Sequence, residues 1–374
     1  MADTIHASRV KRCTERMKEH QLDALLLTKP SNMFYLTGDG RLCAFAMITA
    51  RGEVALGVPQ TDIDDVSGVA TFDKIVGFED EVGMIHSIAH FFKEFGIESG
   101  AVGLENTFLT LSMQGMLTHP HAKPAQLEAR DATHLLSRLR LVKEAGEIAL
   151  MQEAARVADI GMQAAMDAVG PGVTESEVAG AAEYAMRRAG AEEFWRSYVA
   201  AGTRTNIAHG LPSNRRLAAG DLVMIDIHPI VNNYSSDICR MACVGQPSAE
   251  QQQVYVLYRQ GLLAAIAKCR NGIGMVELET TMHDLFKEAG HGGHIFGPAI
   301  HGIGIDFEEA PLPPGHAFFH GEKAPAPLQT NTAIAIGNCG LYCGQWGIRI
   351  EDTIVVGPEG PTILTAYPRD LVSR

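Results

Sequence analysis

Between Asp221 and Arg240 an apolar run, Leu222 to Ile225, reads as a buried strand that delivers a carboxylate at Asp226. Asn232-Asn233-Tyr234-Ser235-Ser236 then turns the chain, and a second carboxylate follows at Asp237 among hydrophobic neighbours. Two acids at such positions cost several kcal/mol each, on the order of a whole domain's margin of stability, unless a cation, an arginine or a proton satisfies them. A metal is the partner that suits both at once, although an Asp after a strand is also common turn chemistry. His228, two residues beyond Asp226, shares its strand face. It orients a water or a carboxylate there, or adds a nitrogen ligand.

Further ligands for a hard metal come later in the chain. His301 opens His301-Gly302-Ile303-Gly304, and Glu351 ends the strand-like Gly-Ile-Arg-Ile before Asp352-Thr353. Two Asp, one His and one Glu make a mainly oxygen site suited to Mn, Co, Fe or Zn. In order and spacing, Gly-Asp-Leu-Val-Met-Ile-Asp, Tyr-Ser-Ser-Asp-Ile-Cys-Arg, His-Gly-Ile-Gly and Gly-Ile-Arg-Ile-Glu-Asp-Thr resemble the pita-bread family of methionine aminopeptidases, proline-specific aminopeptidases, prolidases and creatinases. A looser resemblance to the proline-specific and creatinase branch covers the N-terminal part.

The resemblance implies an α+β fold: a pita-bread catalytic domain, residues 139–374, preceded by a smaller α/β domain, residues 1–138, that the creatinase branch uses in dimer assembly. It also implies that Asp226, Asp237, His301 and Glu351 are metal ligands, with Asp237 and Glu351 bridging two ions, and that His209 faces substrate. Two positions depart from the family. Asn338 stands where the peptidases carry a glutamate ligand that doubles as base, and Glu308-Glu309 stands where they carry His-Glu. An amide removes a negative charge and takes no proton near neutral pH. One firm ion with a weaker or absent second is therefore expected, with Asn338 at best a neutral oxygen ligand. Glu308 either replaces the lost base or pairs with Arg240 or Arg349.

The implied activity is metal-dependent hydrolysis of a peptide or related C–N bond, such as that of a proline-containing dipeptide, in a homodimer. The alternative is a creatinase-like, metal-independent hydrolase of a small amide, amidine or cyclic amino-acid derivative. His209, Glu308 and His294 are the candidate catalytic residues, His294 because it precedes the ligand histidine. His316 and His320, near Glu322, read as surface groups.

A formal charge of −13 with no basic stripe argues against a nucleic-acid partner. No apolar run reaches membrane length, and the first residues lack the pattern of a signal peptide, so a cytoplasmic protein with reduced thiols is expected. Cys239 with Cys243, and Cys339 with Cys343, flank the acid motifs and read as small buried hydrophobes rather than a sulfur site. His119 and His121 read as a surface loop.

Local patterns place the remaining elements. Residues 7–20 suit an amphipathic helix, 22–27 a strand, and 34–38 the start of a short turn. Residues 43–49 and 53–58 suit a hairpin, 84–95 a helix and 101–104 a strand. Residues 147–166 suit a long helix stopped by Gly170-Pro171-Gly172, and Thr174 with Glu177 opens a second helix that ends at Gly190. Residues 250–269 and 274–289 form another helix pair. The order of two helices then strands, twice over, predicts a curved antiparallel sheet wrapped by helices. The loop from 292 to 320 is expected to decide the substrate.

Overall fold

A computed structural model describes residues 2–124, 126–313 and 326–374 and divides the chain into two compact units, Met1–Leu139 and Arg140–Arg374. His316, His320 and Glu322 lie outside the described residues.

In the first unit, short apolar runs separated by polar turns become a six-stranded sheet of order β4-β3-β2-β1-β5-β6. The strands are β1 (Ala24–Leu27), β2 (Phe45–Thr49), β3 (Val54–Pro59), β4 (Lys74–Phe78), β5 (Ser99–Leu104) and β6 (Gln126–Asp131). β2 and β3 form the expected hairpin, while β1 with β5 and β5 with β6 run parallel. The amphipathic helix Glu81–Glu94, capped by Asp80 accepting from the Gly83 N–H, buries Ile88, Phe91 and Phe92 against Leu26, Phe45 and Val102. Asp23, directly before β1, accepts a hydrogen bond from the Ala101 N–H at 2.8 Å, so its charge falls at the strand's edge.

Residues 34–38 do not form a turn but the end of a helix, Pro30–Thr37. Pro30 supplies a helical φ at the first position, and Gly38 closes the helix in the left-handed region at φ 90°. A distant residue holds the other end. Buried Glu105 accepts from the Thr28 N–H at 2.6 Å, the Lys29 N–H at 2.8 Å and the Asn32 amide at 2.8 Å.

The second unit repeats helix pair then strands, as expected. Helices Ala145–Ala168 and Glu175–Arg188 come first, and the predicted capping box forms between Thr174 and Glu177. They precede β7 (Glu193–Ala201), β8 (Leu222–Val231), β9 (Tyr234–Ser235) and β10 (Ile238–Cys243), with β8 antiparallel to both β7 and β10. Helices Ala249–Lys268 and Met275–Glu288 follow. Then come β11 (Ile295–Phe296), β12 (Ile300–Gly302), β13 (Ala333–Ile336), β14 (Gly340–Tyr342), β15 (Gly347–Ile348), β16 (Asp352–Val355), β17 (Thr362–Ile363) and β18 (Val372–Ser373). Short strands thus interrupt the segment read as a loop from 292.

Strand period decides which side chains meet. On β8, Val223, Ile225 and Ile227 pack on the first helix pair, whereas Leu222 and Met224 join the core under the second pair. Asp226 and His228 continue that second face.

Candidate active site

Three strand segments bring the acids together. Cys239 lies opposite Asp226 in the β8–β10 ladder, which sets Asp237 near the end of β8. Cys239 and Glu351 exchange backbone hydrogen bonds of 3.2 and 3.1 Å, so the segment entering β16 runs beside β10. β12 carries His301 opposite Ala335, and β13 pairs with β16.

Each residue of Glu351-Asp352-Thr353 has a separate task. Glu351 faces the other acids. Asp352 accepts from the fully buried Arg240 at 2.7 Å, and the same guanidinium donates to the Glu351 carbonyl at 2.7 Å. The Thr353 hydroxyl accepts from the Asp237 N–H at 2.9 Å and lies 2.9 Å from its carbonyl. Gly337 is required where the turn before Asn338 passes this strand. It sits at φ 108°, and a Cβ there would meet the Ile350 carbonyl at 2.0 Å.

The predicted Asp226, Asp237, His301 and Glu351 converge, all at most 1 % exposed, and Arg349 and His228 join them. Arg349 forms an ion pair with Asp226 and lies 3.4 Å from Glu351. His228 Nε2 is 3.1 Å from Asp226 Oδ1 and 3.3 Å from Asp237 Oδ1. His301 Nε2 is 3.4 Å from Asp237 Oδ2 and 3.7 Å from Glu351 Oε1.

Both imidazoles are fixed in the same way. Nδ1 of His228 is 2.8 Å from the Arg196 carbonyl and Nδ1 of His301 is 3.0 Å from the Gly302 carbonyl. A carbonyl only accepts, so each Nδ1 carries the hydrogen and each Nε2 faces carboxylate oxygens. Such an Nε2 needs either a second proton or a cation. Burial opposes the charged imidazolium of His301, but contact with Asp237 and the field of Glu351 raise it to about 9. His228 is likewise raised, against burial, by Asp237. Burial acts to raise Asp237, yet the two histidines hold it down to about 2, whereas burial beside Asp237 pushes Glu351 up to about 7 despite Arg349.

Both oxygens of Asp237, both of Glu351 and Nε2 of His301 are buried without a hydrogen bond. Ligand atoms of Asp237, His301 and Glu351 lie within 4.8 Å of one another, as do those of Asp226, His228 and Asp237. The donor set fits a divalent cation. With neutral histidines, three carboxylates and Arg349 leave a net charge of −2, which one divalent ion balances.

The other predicted residues sit differently. Asn338 is half-buried in the turn between β13 and β14, its N–H on the Ala299 carbonyl at 3.1 Å, and its amide makes no hydrogen bond to the carboxylates. His209 stands exposed in a turn, 5.4 Å from the Tyr198 ring, and burial and Arg349 lower its pKa. Glu308 is exposed and pairs with neither arginine proposed for it, because Arg240 is committed to Asp352 and Arg349 to Asp226. Its neighbour Glu309 is the buried one, held by Arg140 and, at 2.8 Å, by Lys143. His294 contacts His291 and Cys343 instead of the acids. All seven cysteines are free thiols.

Sequence reasoning missed an aromatic wall. Phe307 lies 4.5 Å from the His228 ring and 5.4 Å from His301, and the 54 % exposed Trp195 stacks on it at 5.6 Å. Tyr198 bridges His209 and His228. The only signal was aromatic residues beside motif positions.

Comparison with known proteins agrees with this arrangement. Residues 149–358 match metallopeptidase family M24, and residues 9–142 match the creatinase/prolidase N-terminal domain. A Xaa-Pro dipeptidase of Pyrococcus furiosus is 28 % identical over 366 residues, 97 % of this chain and 99 % of that protein. The structure of a Xaa-Pro dipeptidase from Bacillus anthracis superposes with a TM-score of 0.89 at 28 % identity, over 99 % of this chain and all of that one. The prolidase from Pyrococcus horikoshii gives 0.85 at 26 % identity, over 98 % of this chain and 100 % of its own. The chain belongs to metallopeptidase family M24 and is a hydrolase of C–N bonds.

Proposed function

We propose that the chain hydrolyses a small Xaa-Pro dipeptide or a closely related substrate with one firmly bound divalent ion. The observation that carries this reading is the set of buried, unbonded oxygens of Asp237 and Glu351 facing Nε2 of His301. Asp237, His301 and Glu351 would hold the ion, with Asp226 and His228 beside it. Bound there, an ion would polarise a carbonyl and lower the pKa of water. Gly302 holds the Nδ1–H of His301, so Nε2 is the nitrogen that would face the ion once its proton is displaced. Arg349 holds Asp226 and disfavours a second cation by charge. His209, neutral near pH 7, would donate its ring N–H as a hydrogen bond to the substrate carbonyl. Glu308, whose field acts on both His209 and His301, would accept a proton from the attacking water. Trp195 and Phe307 offer an apolar wall to a ring such as proline. Relatives named Xaa-Pro dipeptidase support the substrate class.

The test is turnover of a panel of Xaa-Pro and Xaa-Ala dipeptides by metal-depleted and Mn-, Co-, Fe- or Zn-loaded protein. Cleavage of Xaa-Pro that needs the ion supports the proposal, and indifference to proline at that position refutes the substrate assignment. A creatinase-like reading rests on one observation: His228 and His301 as imidazoliums, with Arg349, also balance the three carboxylates. Full turnover by metal-depleted protein would select it. Assembly as a homodimer, implied by the resemblance of residues 1–138, is tested by light scattering in solution.

A further inference from the structure

Away from the acid cluster, His291, His294 and Cys343 bring a third set of metal-binding atoms together, all within 4.8 Å of one another. The register of two strands carries them there. β11 begins directly after His294, β14 ends directly before Cys343, and the two pair with Ile295 opposite Leu341. Gly290 at φ 86° and Gly344 at φ 85° turn the chain just outside His291 and Cys343.

His291 Nδ1 lies 3.3 Å from His294 Nδ1, and Cys343 Sγ lies 3.7 Å from the same His294 nitrogen. As hydrogen bonds these are poor, since the nitrogen pair lies past the usual reach of about 3.2 Å and a thiol is a weak donor. As edges of a coordination tetrahedron they fit. Zinc bonds of about 2.0–2.1 Å to nitrogen and about 2.3 Å to sulfur, at tetrahedral angles, put two nitrogens about 3.3 Å apart and nitrogen and sulfur about 3.6 Å apart.

We propose that Nδ1 of His291, Nδ1 of His294 and Sγ of Cys343 form a second metal site for a borderline-soft divalent ion of the zinc type, with its fourth position open to water. Two nitrogens and a sulfur select against the hard ions that suit oxygen donors, so this site and the acid cluster differ in preference. On binding, the Cys343 S–H bond breaks, its proton goes to solvent and the thiolate bonds the ion. The ion then clips the turn before β11 to the end of β14, the strand that follows Asn338.

Cobalt is the probe. Titrating metal-depleted full-length protein with Co(II) should produce a thiolate-to-cobalt charge-transfer band in the near ultraviolet and the intense visible bands of a tetrahedral ion. Both should vanish on adding one equivalent of Zn(II). Cys343→Ser and His291→Ala should each lose the charge-transfer band while melting like the parent without metal, and Asp237→Asn should keep it. If Cys343→Ser fails to fold, His291→Ala provides the same test. Absence of the band in the parent protein, or its survival in either variant of the trio, overturns the site.

Discussion

Acidification should weaken ion binding at Asp237, His301 and Glu351 by an amount the site's geometry sets. With Nδ1 of His301 committed to the Gly302 carbonyl, the proton that Asp237 and Glu351 favour sits on Nε2, where an ion must displace it. That proton is held up to about pH 9. Each unit below this costs about 1.4 kcal/mol, a factor of about 10 in apparent affinity. From about pH 8.5 to about pH 6.5 the apparent Kd should therefore rise about 100-fold, more steeply at the lower end, where Glu351, raised to about 7, also takes a proton.

Stability of the ion-free chain moves the opposite way. The folded-state pKa of His301 is raised from the ordinary 6.5, so its contribution of about 3 kcal/mol is fully present below pH 6.5 and lost as pH rises through about 9. Glu351 is also raised, from 4.5, so its contribution is present below pH 4.5 and lost as pH rises through about 7. Asp237 is lowered from 3.8, so its contribution is lost only as pH falls through about 2, outside this window. Calorimetric titration of metal-depleted protein with Mn(II), in buffers of different ionisation enthalpy, measures both affinity and proton release. A Kd that changes less than about 3-fold across the window, or ion uptake without proton release, would refute the reasoning.

Other changes test other parts of the structure. Asn338→Glu, placing a carboxylate in the half-buried turn before β14, should raise the ion stoichiometry measured by elemental analysis. His209→Ala should lower kcat/KM by a factor of about 100 with metal content and melting temperature unchanged, because the ring is exposed in a turn. Glu309→Ala leaves Arg140 and Lys143 buried beside a lost counter-charge and should cost about 3–5 kcal/mol in denaturant unfolding.

Features that depend on near neighbours were legible in the sequence. The apolar run ending at Asp226, the shared face of Asp226 and His228, and the Thr174–Glu177 capping box all follow from strand period or helix-end hydrogen bonding within a few residues. The ordered acid motifs pointed to residues that do converge, since four such groups at buried positions have few other ways to be satisfied. Tertiary structure decided the partners. Residues 34–38 belong to a helix whose start is held by Glu105, more than 70 positions away, which no local pattern shows. Of adjacent Glu308 and Glu309, only the second is buried, because Arg140 and Lys143 meet it there. Arg349 and Arg240 each had several acids within reach in principle, and the stacking of β10 against the strand of Glu351 gave one to Asp226 and the other to Asp352. His294 and Cys343 meet across a strand pair. A side chain's chemistry is written in its residue type, but which of several equivalent charges it finds depends on register and packing between segments far apart in the chain.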